Sequence, residues 1–504
     1  MLTVWRLSSP RGEEKVMKIE LLMLGVACSV TVLAEGGGCA AEMRLIPGMP
    51  LLFVDDGVLK ERSNVRRIVH EGKPDARHVL TDTEPWERDK RGYGHSNIYG
   101  SVYPKEDGSG YRMWYGGRYS RVLVADSTDG VNWTKPILNI CNIGGSTSNN
   151  VVIPWLASPS ILRDTFEKNP ERRYKVVGCH YHKPDNPKTG YYTMTSPDGI
   201  HWKEERQIIR RWCDTCTMSQ NPYTGEYLVY HKHEIPELGC NRRVVFLSRS
   251  RDFVNWSEPV RVFGADEADD GAWVDNPTQF TDIYNMSVIA HAGGFIGIPS
   301  IFRMARFNPN PDKSYAESAH DGPLFLAFAT SPDGVSWTRD VGRRAILPNN
   351  PRGVYNRSYA GCSSGGPGAL LHVGDESWLY MYCGSGLHGT GYRDKIPGVP
   401  RCSIGRAVWR RWGFVSLESK GGVCRTRAVR LASNRMTVNF KRLDGDGRLK
   451  VAAFAQDGKL LATANVAGDG TRQRLDFSRA LPVDEPIELQ FEITRGALYS
   501  VEVE

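Results

Sequence analysis

Hydrophobic positions in this chain come in short runs, not at helical spacing. "RVLVADS", "GYYTMTS", "RVVFLSRS" and "LFLAFATS" are β-type runs, and each ends in a serine. Runs of about four to eight such residues, bounded by turn residues, read as strands. A second set is rich in aromatics: "GYRMWYGG", "RYKVVGCHY", "EYLVYHKH" and "SWLYMYCGS", with "GGFIGIPSIF" filling the slot before the fourth turn. The 52 glycines and 29 prolines interrupt any long helical period. The pattern predicts an all-β protein.

The turns repeat as well. Ser127–Trp133 (STDGVNW), Ser196–Trp202 (SPDGIHW) and Ser331–Trp337 (SPDGVSW) share Ser-x-Asp-Gly-x-x-Trp, and Ser250–Trp256 (SRDFVNW) has Phe253 in the glycine's place. Asp-Gly is a tight-turn pair in which glycine supplies the positive φ. The aspartates Asp129, Asp198 and Asp333 are therefore expected to be structural. Intervals this long and variable suit propeller blades of four strands better than solenoid repeats. Five middle strands and four outer hairpins predict a five-bladed β-propeller over residues 42–415. After Gly413 the tryptophan motif ends, while alternating runs with Gly/Asp turns continue ("GRLKVAAFAQDGKLL", "ALYSVEVE"). Residues 416–504 are predicted to form a C-terminal β-sandwich.

Charge and cysteine content narrow the setting. A net charge of +7 on 504 residues, without a basic run, excludes nucleic acid as a natural partner. From Met17, "MKIELLMLGVACSVTVLAEGGG" has the layout of a secretory signal, with Lys18 before an apolar run and Val-Leu-Ala before the cut. Residues 1–41 are thus expected to be an N-terminal extension and leader on an exported chain. The apolar run is short for a transmembrane span. Eleven cysteines leave room for disulfides in an exported protein, and Cys213-x-x-Cys216 lacks the second pair that a zinc site needs.

The order of motifs "LLFVDDGVL", "HEGKPDARHVLTDTEPWE", "YGSVYPKEDGSGYRMWYGG", "ADSTDGVNWTKPILN", "GSTSNNVV" and "DGPLFLAFATSPDGVSWTRD" resembles secreted bacterial proteins of the glycoside hydrolase family 32-like group. These are akin to the five-bladed propeller glycosidases of families 32, 43, 68 and 130. The resemblance covers nearly everything after the leader, and it implies a fold more specifically than a reaction. Family 32's Trp-Met-Asn-Asp-Pro-Asn nucleophile motif and its Glu-Cys acid motif are absent, and Arg163-Asp164 is followed by Thr165 where that family has proline.

In the resembled families catalytic carboxylates stand where innermost strands begin. Glycoside cleavage needs one protonated and one ionised carboxyl. Acids before the innermost strands are Glu87 and Asp89 in blade one, Asp164 in blade two, Asp214 in blade three and Asp282 in blade four. The resemblance implies a general acid from the third. Candidates for holding sugar are His95, Asn150, Trp155, Trp212, Arg242, Asp275, His291, Asn356, Arg357 and His388. No cofactor is required, and a structural Ca²⁺ on the propeller axis is compatible with an oxygen-rich funnel.

Three readings follow. The first is an exported, exo-acting glycoside hydrolase for a plant or algal glycan. The second is a carbohydrate-binding propeller without catalysis. The third is a family 130-like phosphorylase, for which Arg242, Arg243 and His231 are the candidate phosphate ligands.

Overall fold

A computed structural model describes residues 43–504, apart from 89–93, 95, 119, 181–185, 212–213, 239, 271–279, 304–321, 341, 349–357, 363–369, 386–399 and 401. The chain is all-β and of propeller type. Among the described residues the helical pieces are single turns, at Pro85–Glu87, Pro170–Arg172 and Glu267–Asp270.

Five antiparallel sheets succeed one another along the chain. The first holds Val102–Pro104, Tyr111–Gly117, Arg121–Ser127 and Val151–Ile153. The second holds Ala157–Arg163, Tyr174–His180, Gly190–Ser196 and Lys203–Ile209. The third holds Cys216–Gln220, Tyr227–Glu237, Cys240–Ser250 and Val260–Phe263. The fourth is built on the hairpin Thr281–His291 and Gly294–Arg303, and the fifth on Glu376–Gly384 and Cys402–Arg410. An N-terminal strand, Lys73–Pro74, completes the outer edge of the fifth sheet.

Short polar side chains tie the first strands of neighbouring sheets together. Ser101 Oγ donates to Ile161 O, Met218 N to Ser160 Oγ at 2.7 Å, and Thr217 Oγ1 to Met286 O at 2.5 Å. Residues this small let backbones approach closely, and each hydroxyl replaces a bond that water would otherwise supply.

The repeated turn has one geometry in all four copies. In the first, Ser127 Oγ accepts the N–H groups of Asp129 and Gly130, and Asp129 Oδ1 accepts those of Val131 and Asn132. The glycine is also a contact point between sheets. Trp114 Nε1 donates to Gly199 O at 2.6 Å, Tyr230 OH to Gly334 O at 2.9 Å, and Tyr380 OH to Gly130 O at 2.7 Å. A Cβ on Gly199 would lie 2.5 Å from the Trp114 ring.

The junction between sheets two and three is the exception. The position equivalent to Trp114 and Tyr230, by strand register, is Val177. Its facing turn carries Phe253, at φ +63°, and the two share one core cluster. There the turn supplies the ring that the strand lacks.

The remaining strands form two sheets around a core that includes Leu45, Phe53, Leu417, Phe440, Phe491 and Val501. These sheets are not made from the C-terminal segment alone. Met43–Leu45 pairs with Val429–Leu431, Leu51–Leu52 with Gly496–Val503, Leu59–Ser63 with Gly422–Thr426, and Arg66–Val69 with Val415–Ser419. The sequence reading had grouped residues 42–69 with the propeller. An apolar run announces a strand, but its partner lies hundreds of residues away and leaves no local mark.

Candidate active site

Each sheet has a motif-turn end and an opposite end, and register sorts the candidates between them. In sheet three Tyr227 pairs with Ser250 at the turn end, while Cys216 pairs with His231 near the other. Asp214 therefore stands at the end away from the turns. Asp282 does too, since it pairs with Phe302 while Phe295 pairs with the motif serine Ser331.

Asp214 forms an ion pair with Lys232 Nζ. The lysine side chain is 6% exposed and the aspartate 31%, so solvent reaches the acid while the base stays covered. Lys232 Nζ also sits 4.3 Å above the Tyr284 ring, a cation–π contact from sheet four. Tyr191, fully buried in sheet two, clamps both residues. Its hydroxyl accepts Asp214 N–H at 3.3 Å and donates to Lys232 O at 3.0 Å. An ammonium held against a carboxylate favours the charged form, as a base or nucleophile requires.

Glu234 lies two residues beyond Lys232, on the same strand face and about 7 Å along. Its side chain is 46% exposed and faces Arg243 Nε at 3.6 Å. Arg243 in turn holds Asp282 through Nη1 at 2.6 Å and its backbone N–H at 3.2 Å. Asp282 is 0% exposed. Burial pushes its carboxyl up from the ordinary range, and Arg243 opposes that shift. Acidic and basic side chains thus alternate from Asp214 through Lys232, Glu234 and Arg243 to Asp282.

On the strand's other face His231 Nδ1 and His233 Nε2 stand 2.7 Å apart, and His231 Nε2 is 3.1 Å from Ser248 Oγ. Burial, then His233 and Arg211, hold His231 well below the ordinary imidazole value, so it is neutral. Tyr99, from the stretch before sheet one, and Tyr284, Phe302 and Tyr382, from sheets four and five, form a shared aromatic cluster.

The other candidates lie apart from this group. Glu87 is 0% exposed and fully engaged, accepting from Tyr115 OH at 2.6 Å, Lys135 Nζ at 2.5 Å and Glu84 N at 2.9 Å. Asn150 belongs to the same buried network, accepting from Trp86 Nε1 at 2.7 Å and donating to Tyr115 OH at 2.9 Å. Asp164 sits at the motif-turn end, buried, bonded by Tyr227 OH and by Gln220 Nε2 at 3.0 Å. His291 is buried at the far end of the strand Thr281–His291, away from Asp282, and there accepts Gly293 N–H at 3.1 Å. Arg242 is bidentate to Asp270 and donates to Thr281 O. Trp155 is half-buried against His180 and Tyr192. Asp89, His95, Trp212, Asp275, Asn356, Arg357 and His388 lie outside the described residues, as does Cys213.

Cys141, Cys179, Cys216, Cys383, Cys402 and Cys424 are free thiols. Among the described residues no cluster of three or more His, Cys, Asp or Glu could hold a metal ion. No described helix is long and apolar enough to cross a membrane.

Lys232, Glu234 and His233 escaped the sequence reading, which took "EYLVYHKH" as a middle strand and offered His231 as a phosphate ligand alone. The available signal was the polar run His-Lys-His-Glu closing an otherwise apolar strand.

No protein-family model and no curated protein matches the chain. It resembles solved structures at low identity. One is an N-acetylgalactosamine deacetylase from F. plautii, at 15% identity and TM-score 0.40, covering 73% of this chain and 95% of that one. Another is an exo-β-1,3-galactanase from Phanerochaete chrysosporium, at 10% identity and TM-score 0.37, covering 86% and 99%. A third is a family 32 β-fructofuranosidase from Bombyx mori, at 10% identity and TM-score 0.35, covering 83% and 95%.

Proposed function

We propose that the protein is an exported glycoside hydrolase, exo-acting on a plant or algal glycan, with Asp214 as its ionised carboxylate and Glu234 as its acid. The observation that carries this reading is a solvent-reachable carboxylate held against a covered ammonium beside aromatic rings. A second exposed carboxylate, Glu234, stands on the same strand face as that ammonium. In such a reaction Glu234 gives its proton to the glycosidic oxygen as the C–O bond breaks. Asp214 takes a proton from the attacking water, or itself bonds the anomeric carbon before water releases it. Asp282 is covered by protein and acts through Arg243.

Phosphorolysis is the weaker reading. Its candidate phosphate ligands are already engaged: Arg242 with Asp270, Arg243 with Asp282, and His231 with His233 and Ser248.

The test is a reducing-end release screen on a broad glycan panel, with Asp214→Asn and Glu234→Gln beside wild type. Each variant is expected to lose about 10²–10⁴-fold in kcat, and Asp214→Asn also to lower the melting temperature, because it leaves the covered Lys232 ammonium without its counter-charge. Full turnover by Asp214→Asn would refute the assignment.

A further inference from the structure

A second concave feature lies away from Asp214, against the motif turn of sheet one. Its volume is about 770 Å³, within the usual range of ligand clefts, roughly 300–1,000 Å³. One wall is the stretch after the edge strand Lys73–Pro74. Asp75 N–H bonds Arg406 O at 2.9 Å and Val79 N–H bonds Ile404 O at 2.8 Å. Four residues on this side thus span two on the other, and residues 76–78 arch out of the ladder. The facing wall is Val131–Lys135, held rigidly by Asp129 and by the Trp133 Nε1 bond to Gly130 O at 3.1 Å.

The charges on these walls are mostly spent within the protein. Arg406 is bound twice by Asp75, at 2.9 and 3.2 Å, and stacks on Trp378 at 4.1 Å. Lys135 is neutralised by Glu87 and bonded to Thr81 O and Thr83 Oγ1. What remains is the half-buried indole of Trp133, the acceptor oxygens of Thr81 and Thr134, whose hydroxyl protons go to Asp82 Oδ1 and Asp126 O, the Asn132 amide, which gives one hydrogen to Asp129 Oδ2, the Glu84 carboxylate and the exposed Arg77. An anion site would need several unspent cations, and an apolar ligand would need an apolar wall.

We infer that this cleft is a secondary binding site for a neutral oligosaccharide, separate from the site of Asp214. An indole beside neutral acceptor oxygens, an amide and an ion-paired guanidinium matches a sugar's alternation of C–H face and hydroxyl rim. The inference rests on the hydrolase reading only for the class of ligand. Its role is to hold a glycan chain on the enzyme between cleavage events.

Affinity electrophoresis tests it, in native gels cast with xylan, laminarin or galactan. Wild type and Asp214→Asn are expected to be slowed equally by at least one of these glycans. Arg77→Ala and Asn132→Ala, both at solvent-facing positions, and Trp133→Ala are expected to weaken that retardation at least fivefold. Retardation that survives all three cleft variants, or that vanishes in Asp214→Asn, overturns the inference, as does its absence with every glycan. Product release without cleft-dependent retardation sinks the cleft and spares the hydrolase. Cleft-dependent retardation without product release does the reverse.

Discussion

At the scale of single residues, the proposed centre is an acid whose surroundings decide its role. Asp214 was legible because it precedes an innermost strand. Its ionic partner was not, because Lys232 meets it only through pairing of two strands. Asp282 met the same criterion as Asp214, yet it ended 0% exposed against Arg243. A local pattern marks where an acid stands, and the covering side chains decide whether substrate can touch it. Tyr191 is the residue to probe here, since one hydroxyl bonds the backbones of both Asp214 and Lys232. Tyr191→Phe is expected to lower kcat about tenfold while costing about 2 kcal/mol of stability, the worth of two lost buried hydrogen bonds. Its pH–rate profile should shift as well, because the backbones that carry the Asp214–Lys232 ion pair would lose the hydroxyl that joins them. An unshifted profile with lower stability would reduce Tyr191 to a packing residue.

At the scale of elements, the Ser-x-Asp-Gly-x-x-Trp turn was the clearest signal in the chain, and the structure gives its glycine a second purpose. Three glycine carbonyls receive an aromatic donor from the neighbouring sheet. The deviant copy follows the same logic with the parts exchanged, Val177 in the strand and Phe253 in the turn. Restoring the majority residue should therefore do harm. Phe253→Gly relieves a positive-φ strain of about 1–2 kcal/mol but empties a phenyl site worth about 3–5. A net loss of about 2 kcal/mol is expected by chemical denaturation. A stabilised variant would show that the turn, and not the packing, governs this junction. The double variant Val177→Trp/Phe253→Gly is expected to recover part of the loss.

At the scale of the whole molecule, acid sensitivity is built in twice. Burial pushes His291 down to about 4 and His372 down to about 3, and holds His231 low as well. Unfolding lets each histidine take up a proton below its ordinary value near 6.5. Stability is therefore fully present above that value and is lost as pH falls toward the folded values. The turn aspartates act lower. Burial raises Asp198, but hydrogen bonds from His201 and Ile200 outweigh it and bring the carboxyl to about 2. Its contribution is present above the ordinary aspartate value and lost as pH drops through the folded one. Scanning calorimetry should show the melting temperature falling between pH 6.5 and 4.5, above the range in which the Asp198 carboxyl protonates. A flat profile across that window would contradict the histidine assignment.

The pairing of residues 43–69 with strands after residue 415 carries a consequence for how the protein is made. Leu51 and Leu52 bond to Val501 and Ser500, across some of the greatest sequence separations in the chain. A ribosome supplies the first partner long before the second, so these strands stay without their mates until the chain has been made past residue 500. The five sheets can assemble in chain order behind them. The closing stitch belongs to Gly496–Val503, and until that strand is made the strands before residue 70 remain available to chaperones.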